Sequence, residues 1–579
     1  VEEGHKYYFG NISWRGATKY PDSLLSVVLG INKGDIYNLD LLNKKLGKNV
    51  SPEGGDISGL YQDDGYLFFQ VDPIETAVYN DTIDIELRVN EGSQATIKNI
   101  IIDGNDKTND HVVMREIRTR PGQLFRRSDI IRTQRELSQL GYFDPEKLGV
   151  TPTPNPADGT VDIEYKVEEK PSDQVELSGG WGGGRVVGTL GLSFNNFSMR
   201  NIFKPSAWSP LPTGDGQKFS IRAQTNGIYY QSYNLSFTEP WLGGKKPNSL
   251  SVSGFFSMFN TTGAKKYVND DLGNKILNPN RSTMKIVGGS VGFGKQLKKP
   301  DDYFSVYTEA SYNYYELQNY PYFILANGYA NDFNGKINIS RNSVDAPIFP
   351  KNGSNFSLLG QFTPPYSLFN GKDYDKLTVS EKYKFIEYQK YKFTAEWFTQ
   401  LTNKKAGEGK EARNLVLRTK IGYGILGMYN RKVGVSPFER YYMGGSGLSG
   451  YQNFVAREII ALRGYTDNSL SSSNGDPLCA RYTMELRYPI SLNPQATIFV
   501  LGFAEAGNTW ARYKDFNPFQ VKRSAGFGLR VFLPMFGLLG IDYGWGFDPI
   551  LDSNGNKRTD TGMGKGQFHF TIGGMLGEL

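Results

Sequence analysis

The sequence predicts a membrane β-barrel of sixteen antiparallel strands that follows two small α+β modules. Three observations lead to this fold class: a diverged repeat within the first 171 residues, alternation of apolar and polar residues along most of the remainder, and a joint excess of glycine and aromatic residues. Of 579 residues, 67 are Gly, 36 Phe, 36 Tyr and 7 Trp. Strands of membrane barrels alternate lipid-facing apolar with lumen-facing polar residues, and aromatic residues gather at the membrane interfaces.

The composition excludes several other classes of protein. No run approaches the roughly 18 apolar residues that a membrane-spanning helix needs, and the mean hydropathy is −0.45. A formal charge of +6 over this length does not indicate nucleic acid as a partner. The single cysteine, Cys479, forbids an intrachain disulfide, and His5, His111 and His569 lie far apart in the sequence. We therefore expect no metal site and no cofactor.

The first 171 residues contain two related blocks, and glycines mark the match between them. The glycine pairs lie 88, 88 and 76 residues apart: Gly16 and Gly104, Gly34 and Gly122, and Gly65 and Gly141. The first copy therefore carries about twelve extra residues, near 47–58. Because a repeat of this kind is one supersecondary unit used twice, the two blocks should share a fold.

Each block is predicted to run strand, helix, helix, strand, strand. In the second block the helices are expected at 110–118 and 127–140, where apolar residues recur at helical spacing, and the closing strand at 160–167. The closing strand of the first block is expected at 82–89. The predicted domains are 1–92, 93–171 and 172–579, and the third is the barrel.

Beyond residue 171 the helical periodicity gives way to alternation. Phe219, Ile221 and Ala223, for example, alternate with polar neighbours. Marking every such run gives sixteen strands, an even number, as single-chain bacterial barrels have. The predicted outer links are long and polar and the inner turns short, with one exception: the long connection 195–216 falls on the inner side.

Four motifs of this region resemble the BamA-type outer-membrane assembly family, in which POTRA modules precede a sixteen-stranded barrel. They are Leu462-Arg463-Gly464-Tyr465, similar to the Val-Arg-Gly-Phe/Tyr signature; Phe503-Ala504-Glu505-Ala506-Gly507, similar to Phe-x-Asp-x-Gly; Phe349-Pro350-Lys351-Asn352-Gly353; and Ser524-Ala525-Gly526-Phe527-Gly528-Leu529. Two departures stand out: Glu505 replaces Asp, and about sixteen residues separate Gly444-Gly445-Ser446 from the arginine motif.

The resemblance implies that the loop carrying Arg463 folds back into the barrel lumen and that the arginine meets an acidic residue there. Glu505 is the first candidate, and Asp542, in Ile541-Asp542-Tyr543-Gly544, is the second. Removing one partner of a buried ion pair costs roughly 3–5 kcal/mol, so the pair should matter for barrel assembly. A purely structural clip and a dynamic role both remain open.

The family resemblance also implies a lateral seam between the first and last strands. Its predicted residues are Val175, Leu177 and Gly179 in the first strand, and Phe568, Phe570, Ile572, Gly573 and Gly574 in the last. The two terminal glycines could let the last strand kink inward, since glycine weakens a strand interior. A frayed C-terminus explains the same residues.

These features lead to a functional hypothesis of a non-enzymatic insertase in the bacterial outer membrane, with its modules in the periplasm. Its expected partners are unfolded outer-membrane proteins, outer-membrane lipids and the periplasmic or lipoprotein subunits of an assembly complex, with no nucleotide. The alternative is a two-partner secretion transporter that exports one exoprotein. A passive porin or ligand receptor would leave the modules and the arginine motif unexplained. Because the chain begins inside a module, we expect further modules upstream.

Two other patterns resemble binding sites but have simpler explanations. The glycine-rich run 179–184 lacks the Lys-Ser/Thr of a phosphate-binding loop, and a first strand explains it better. The last outer loop contains Asp548, Asp552, Asn554, Asn556 and Asp560 but lacks the terminal Glu of a calcium loop, so an ordinary polar loop is favoured. No Ser/His/Asp set has a recognisable context, and catalysis is not indicated.

Overall fold

The computed structural model describes residues 5–48, 55–144, 147–170, 173–182, 185–208, 211–244, 246–301, 303–321, 325–346, 348–402, 413–445, 457–493, 496–533, 537–550 and 565–572. The chain divides into two compact units. The first comprises Val1–Asp173 with Phe194–Gln217, and the second comprises Gln174–Ser193 with Lys218–Leu579. Within the described ranges, no helix is both long and apolar enough to cross a membrane.

The first unit contains two modules of similar topology. The elements of the first module are β1 (Tyr8–Arg15), α1 (Asp22–Leu29), α2 (Leu39–Leu46), α3 (Ile57–Asp63), β2 (Gln70–Tyr79) and β3 (Thr82–Asn90). Those of the second are β4 (Thr96–Asp103), α4 (Asp110–Glu116), α5 (Arg127–Gln139), β5 (Gly149–Asn155) and β6 (Thr160–Lys166). In each three-stranded sheet the last strand lies in the middle, parallel to the first and antiparallel to the second.

Each module buries a compact apolar core between its helices and its sheet. The fully buried side chains include Phe9, Leu25, Leu42, Ile57 and Leu87 in the first module, and Val112, Val113, Ile117, Phe143 and Val161 in the second. Burying a side chain of this size contributes about 1.5–3 kcal/mol, so the helices are held mainly by these faces.

The predicted order of elements matches the second module, but it is wrong for the first, which has three helices. The counterpart of α5 is divided into α2 and α3 by the extra residues of the first copy. Helix α2 ends at Gly47, whose φ is 83°. Helix α3 starts after Asp56, whose side chain accepts a hydrogen bond from the amide of Gly59. The glycine that ends α2 and the aspartate that caps α3 thus divide into two helices what the repeat predicts as one.

Equivalent glycines close the first strand of each module. Gly16 and Gly104 have φ values of 91° and 92°. A Cβ added at Gly16 would collide with the carbonyl oxygen of Val89, and one added at Gly104 would collide with that of Val167. Only glycine fits this close approach at a positive φ, which explains why these positions mark the repeat in the sequence.

A glutamate after the last strand of each module holds the turn that follows the first strand. Glu91 accepts hydrogen bonds from the amides of Thr18 and Lys19 at 2.7 and 2.8 Å. Glu169 accepts in the same way from the amides of Lys107 and Thr108, at 3.0 and 2.6 Å. The two glutamates therefore have the same structural role in the two copies.

The rest of the chain consists mainly of strands. In chain order they are β7 (Gln174–Gly182), β8 (Arg185–Phe197), β9 (Gln217–Thr225), β10 (Tyr230–Glu239), β11 (Asn248–Asn260), β12 (Tyr267–Asn269), β13 (Lys275–Leu277), β14 (Thr283–Gln296), β15 (Phe304–Gln318), β16 (Gly328–Asn342), β17 (Gly353–Phe362), β18 (Gln389–Gln400), β19 (Val416–Gly427), β20 (Arg440–Met443), β21 (Arg457–Ile460), β22 (Leu478–Asn493), β23 (Ala496–Trp510), β24 (Lys522–Leu533), β25 (Gly537–Gly546) and β26 (Gln567–Ile572). Two short helices, α6 (Tyr366–Phe369) and α7 (Val379–Lys382), lie between β17 and β18.

Sixteen of these strands form one sheet, with β7 and β26 at its two edges. Strands β12 and β13 form a separate hairpin, and β20 and β21 form a short parallel pair. The described ladders of the large sheet are antiparallel. Several strands extend beyond the alternating runs: β16 begins at Gly328, whereas alternation predicts a strand at 336–341.

The long inner connection between β8 and β9 belongs to the first compact unit. Two short 3-10 turns, Met199–Asn201 and Pro205–Ala207, shape it. The expectation of short inner turns thus fails here, because the extra residues pack with the second module.

Candidate functional site: a loop held by buried charges

The site lies within the second unit and is built on the long loop, residues 428–477, which joins β19 to β22. Strands β20 and β21 pair within it, and Gly445 bridges Leu462. Residues 446–456, which include Ser446 and the segment 448–451 ahead of the arginine motif, lie outside the described residues. The pairing of β20 with β21 brings together the described residues on the two sides of this stretch and leads the chain into the arginine motif.

Arg463 is fully buried and contacts three carboxylates from three strands. Its Nη2 lies 2.7 Å from Glu485 Oε1 and 2.8 Å from Glu505 Oε1, and its Nη1 lies 3.2 Å from Asp542 Oδ1. Its backbone amide donates to Glu505 Oε2 at 2.9 Å. The guanidinium carbon lies 3.7 Å from the ring centroid of Phe503, a cation–π contact. The structure thus places both predicted acidic residues on Arg463.

Further arginines surround the same carboxylates. Arg481 contacts Glu505 at 2.8 Å, Arg418 and Arg487 contact Glu485 at 3.0 and 2.6 Å, and Arg530 contacts Asp542 at 2.8 Å. With Glu396, which pairs with Arg418, the set has five arginines and four carboxylates. We call these nine residues the Arg463 cluster. Its near balance of charge is what burial requires.

Glycines let the loop approach the strand backbone closely. Gly464 has a φ of 89°, and a Cβ there would lie 2.8 Å from the carbonyl carbon of Trp545. On β25, a Cβ at Gly544 would lie 3.0 Å from the amide nitrogen of Gly464, and one at Gly546 would lie 2.7 Å from the Tyr465 ring. The Arg-Gly-Tyr order is therefore a packing requirement as well as an electrostatic one.

Two further hydrogen bonds, from the two residues that follow Arg463, fix the motif on the sheet. The amide of Gly464 donates to Nε2 of His569 on β26 at 2.9 Å. The hydroxyl of Tyr465 donates to the carbonyl oxygen of Arg523 at 2.8 Å. The loop therefore contacts the last strand of the sheet directly, a role for His569 that its sequence position does not reveal.

A second buried cluster holds the same loop on β18. Lys390 Nζ lies 2.8 Å from Glu439 Oε2 and 2.6 Å from Glu458 Oε2, and Lys392 also pairs with Glu458. The side chain of Lys390 is 2% exposed. We call these four residues the Lys390 cluster. No motif in the sequence pointed to it.

Six of the eight predicted seam residues lie on the two edge strands. Val175, Leu177 and Gly179 belong to β7, whose side chains the structure does not describe, and Ile572 ends β26. Phe568 and Phe570 of β26 are exposed, whereas His569 and Thr571 are buried. Gly573 and Gly574 lie outside the described residues.

The last outer loop contains the acidic and amide residues that resemble a calcium loop. Of these, Asp548 pairs with Arg523 at 2.9 Å, and the other four lie outside the described residues.

Family models match both parts of the chain. The Omp85 superfamily domain matches residues 213–575, more than half of the chain. The chain belongs to the Omp85 superfamily. The POTRA model, described as the surface antigen variable number repeat, matches residues 7–92 and 95–170. These matches confirm the BamA-type resemblance and the class of the fold, an Omp85 barrel domain preceded by two POTRA modules.

Relatives and solved structures agree with this assignment. The outer membrane protein assembly factor BamA of Neisseria meningitidis is 24% identical over 88% of this chain, and that of Nitratidesulfovibrio vulgaris is 23% identical over 99%. The chain spans 58% and 62% of the lengths of these two relatives. BamA from Haemophilus ducreyi lacking POTRA domains 1–3 has a TM-score of 0.56 at 19% identity, covering 98% of this chain and all of that one. CdiB from Escherichia coli has a TM-score of 0.51 at 11% identity, covering 98% and 90%.

The BamA relatives and the two family models together confirm the predicted location, the bacterial outer membrane with the modules in the periplasm. Sequence reasoning found Arg463, Glu505 and Asp542 but missed Glu485, His569 and the Lys390 cluster. Glu485 shares one face of β22 with Arg481 and Arg487 by simple alternation, a signal that could have indicated it.

Proposed function

We propose that this Omp85 chain is the membrane-embedded part of an insertase that folds β-barrel proteins into the outer membrane without a nucleotide and without enzymatic chemistry. In this proposal an incoming strand pairs with an edge strand of the sixteen-stranded sheet. Backbone hydrogen bonds supply the affinity whatever the side chains are. Pairing before full burial spares the strand the several kcal/mol that each unpaired backbone group costs in hydrocarbon.

The observation that carries the proposal is the position of β26 at the edge of the large sheet. Its described ladder joins Gln567–Ile572 to Leu539–Gly544 of β25. Among the described residues β26 pairs with β25 alone. The unpaired side of an edge strand is a template for another strand.

The contact between the long loop and β26 supports a controlling role for that loop. Gly464 donates to His569 at the middle of β26, beside the buried Arg463 cluster. The loop is fixed on the sheet at β22, β23 and β25. It can thus hold β26 in register with β25 while the unpaired edge of β26 pairs with an incoming strand. The partners in this proposal are unfolded outer-membrane proteins and the accessory subunits of an assembly complex.

The alternative is a two-partner secretion transporter. It draws support from the fold alone, which CdiB from Escherichia coli shares. Depleting the protein in its host separates the two. An insertase should lower the levels of many outer-membrane barrels at once, measured by quantitative proteomics of the outer membrane. Loss of one secreted exoprotein, with the barrels unchanged, would establish the alternative.

Locking the seam tests the mechanism. We would introduce Gly179→Cys together with a cysteine at each β26 position from 568 to 571 in turn, and measure growth with and without reductant. The matched control pairs Gly179→Cys with Gly188→Cys, which lies opposite it on β8. The insertase should fail only when β7 is locked to β26. Normal growth with a complete seam disulfide would count against templating at this edge.

A further inference from the structure

The inner connection, residues 198–216 between β8 and β9, is closed firmly at its base. The amide of Ser198 donates to the carbonyl oxygen of Pro212 at 2.8 Å, and that of Gly214 donates to the carbonyl oxygen of Asn196 at 2.9 Å. The Ser198 hydroxyl also donates to Asp215 Oδ2 at 2.6 Å. The two ends of the segment are therefore tied to each other, and we call the described residues 199–208 between them the tip.

The base is also tied to the second module. The side-chain amide of Asn196 donates to the Thr108 hydroxyl at 2.8 Å, and that of Asn109 donates to Asp215 Oδ1 at 2.9 Å. The amide of Asn109 donates to the carbonyl oxygen of Gly214 at 3.0 Å. The connection and the second module thus form one body, in agreement with their place in a single compact unit.

The tip of the inner connection exposes apolar side chains. Phe203 is 93% exposed, and Met199 and Trp208 are each 48% exposed. Trp208 is nevertheless held, since its Nε1 donates to the carbonyl oxygen of Ile202 at 3.2 Å. Three exposed apolar side chains within ten residues of the chain indicate a contact that the isolated chain does not fill.

The charge of the tip is of one sign. Arg200 and Lys204 are exposed, and the sequence from 198 to 214 contains no Asp or Glu. The only acidic residue of the connection is Asp215, which is buried at the base. The tip therefore combines aromatic and basic groups, the combination that membrane interfaces with anionic lipids favour.

Chain connectivity places this tip beside the membrane. Strands β8 and β9 are neighbours in the large sheet, and the connection joins their ends on the side of the modules, which is the periplasmic side. A link between two membrane-spanning strands begins where the hydrocarbon ends, so its first apolar residues lie within reach of the headgroup region. A lipid surface is thus the nearest apolar partner.

We propose that the tip of the inner connection inserts Phe203 and Trp208 into the periplasmic leaflet of the outer membrane, with Arg200 and Lys204 on anionic headgroups. Because the base is bonded to the second module, this contact holds that module at the membrane surface. The inference rests on the location of the chain in the outer membrane and does not depend on the insertase proposal.

The test uses the full chain in vesicles of phosphatidylethanolamine and phosphatidylglycerol. Phe203→Cys, in a Cys479→Ser background, is labelled with an environment-sensitive fluorophore, and quenching by lipids with a nitroxide on the acyl chain is measured. The control label is placed at Ala157, an exposed residue in the turn between β5 and β6. The label at 203 should be quenched several-fold more than the one at 157. Equal quenching would overturn the proposal.

A second variant tests the basic residues without touching the apolar ones. The exchange Arg200→Glu with Lys204→Glu changes only exposed side chains, so the fold should be kept. It should reduce the quenching at 203 in phosphatidylglycerol vesicles to the level seen in vesicles of phosphatidylcholine alone. Unchanged quenching would refute the proposed contact of Arg200 and Lys204 with anionic headgroups. If the label at 203 were not quenched and the tip crosslinked to a protein in cells, the partner of the tip would be that protein and not the lipid.

Discussion

The long loop is held at two places, and the polarity of the contacts is reversed between them. In the Arg463 cluster the loop supplies the cation and strands β22, β23 and β25 supply the carboxylates. In the Lys390 cluster strand β18 supplies the cation and the loop supplies the carboxylates of Glu439 and Glu458. A loop that slid along the sheet would bring like charges together. Reversed polarity therefore specifies the position of the loop more strongly than two identical contacts would.

Burial differs between the two clusters. Arg463, Glu505 and Asp542 have fully buried side chains, and Glu485 is 2% exposed. In the Lys390 cluster the side chains of Glu439 and Glu458 are 23% and 16% exposed. An arginine fork can also reach several acceptors in fixed directions, whereas a lysine is a point charge. The Arg463 cluster should thus be the costlier one to break.

The largest effect is expected for Arg463→Ala. It leaves three buried carboxylates short of one cation, and losing one partner of such a set costs roughly 3–5 kcal/mol. Urea unfolding of the protein in detergent micelles, followed by tryptophan fluorescence, measures the free energy of unfolding. Arg512→Ala, which removes an exposed pair with Asp515, is the control and should cost about 0–1 kcal/mol. Equal losses for both variants would contradict the proposed importance of the cluster.

Gly464→Ala should have the next largest effect. Gly434, in the same loop, has a φ of 81°, and a Cβ added there would meet nothing within 4 Å, whereas a Cβ at Gly464 would meet β25. Both substitutions carry the backbone cost of about 1–2 kcal/mol at positive φ, but only Gly464→Ala adds about 1–3 kcal/mol of overpacking. Unfolding free energies of the two variants give the difference. No difference would show that the loop can move away from β25 at little cost.

Lys390→Gln should cost less than either, about 1–3 kcal/mol, the penalty for a buried polar group that loses its partner. The cost is limited because Glu458 keeps Lys392 and because both glutamates are partly exposed. Lys376→Gln, at an exposed lysine that pairs with Asp373, is the matched control and should be neutral. If Lys390→Gln destabilised the protein as much as Arg463→Ala, the difference in burial would not govern the two clusters.

The sequence predicted Arg463 with Glu505 and Asp542 and nothing of the Lys390 cluster, and the reason is physical. The motif around Arg463 is recognisable because glycine and tyrosine must follow the arginine for the loop to pack on β25. Lys390 stands in an ordinary alternating strand, and alternation shows which face a side chain lies on without showing which loop residue covers it. The first half of β16, residues 328–335, was missed because Asn331 interrupts the apolar positions Tyr329 and Phe333 on one face, so the run does not alternate cleanly.

The modules show a third way to hold a carboxylate, by neutral donors instead of cations. Burial alone would raise the pKa of Glu91, but hydrogen bonds from the amides and hydroxyl of Lys19 and Thr18 and from the Tyr61 hydroxyl outweigh it. The pKa of Glu91 is therefore lowered. Its stabilising contribution is present above the ordinary carboxyl pKa of about 4.3 and is lost as the pH falls through the lowered value.

Hydrogen exchange in the full chain should detect this smallest effect. Protection of the Thr18 and Lys19 amides, corrected for intrinsic exchange, should fall as the pH drops through the lowered pKa of Glu91. Glu91→Gln should lower the protection at neutral pH and remove its pH dependence, because the amide is neutral throughout and a weaker acceptor than the carboxylate. The amides of the ladder between β22 and β23 should keep their protection over the same range, since their hydrogen bonds do not involve Glu91. A parallel loss at both places would mean that the acid response is global unfolding and not the release of Glu91.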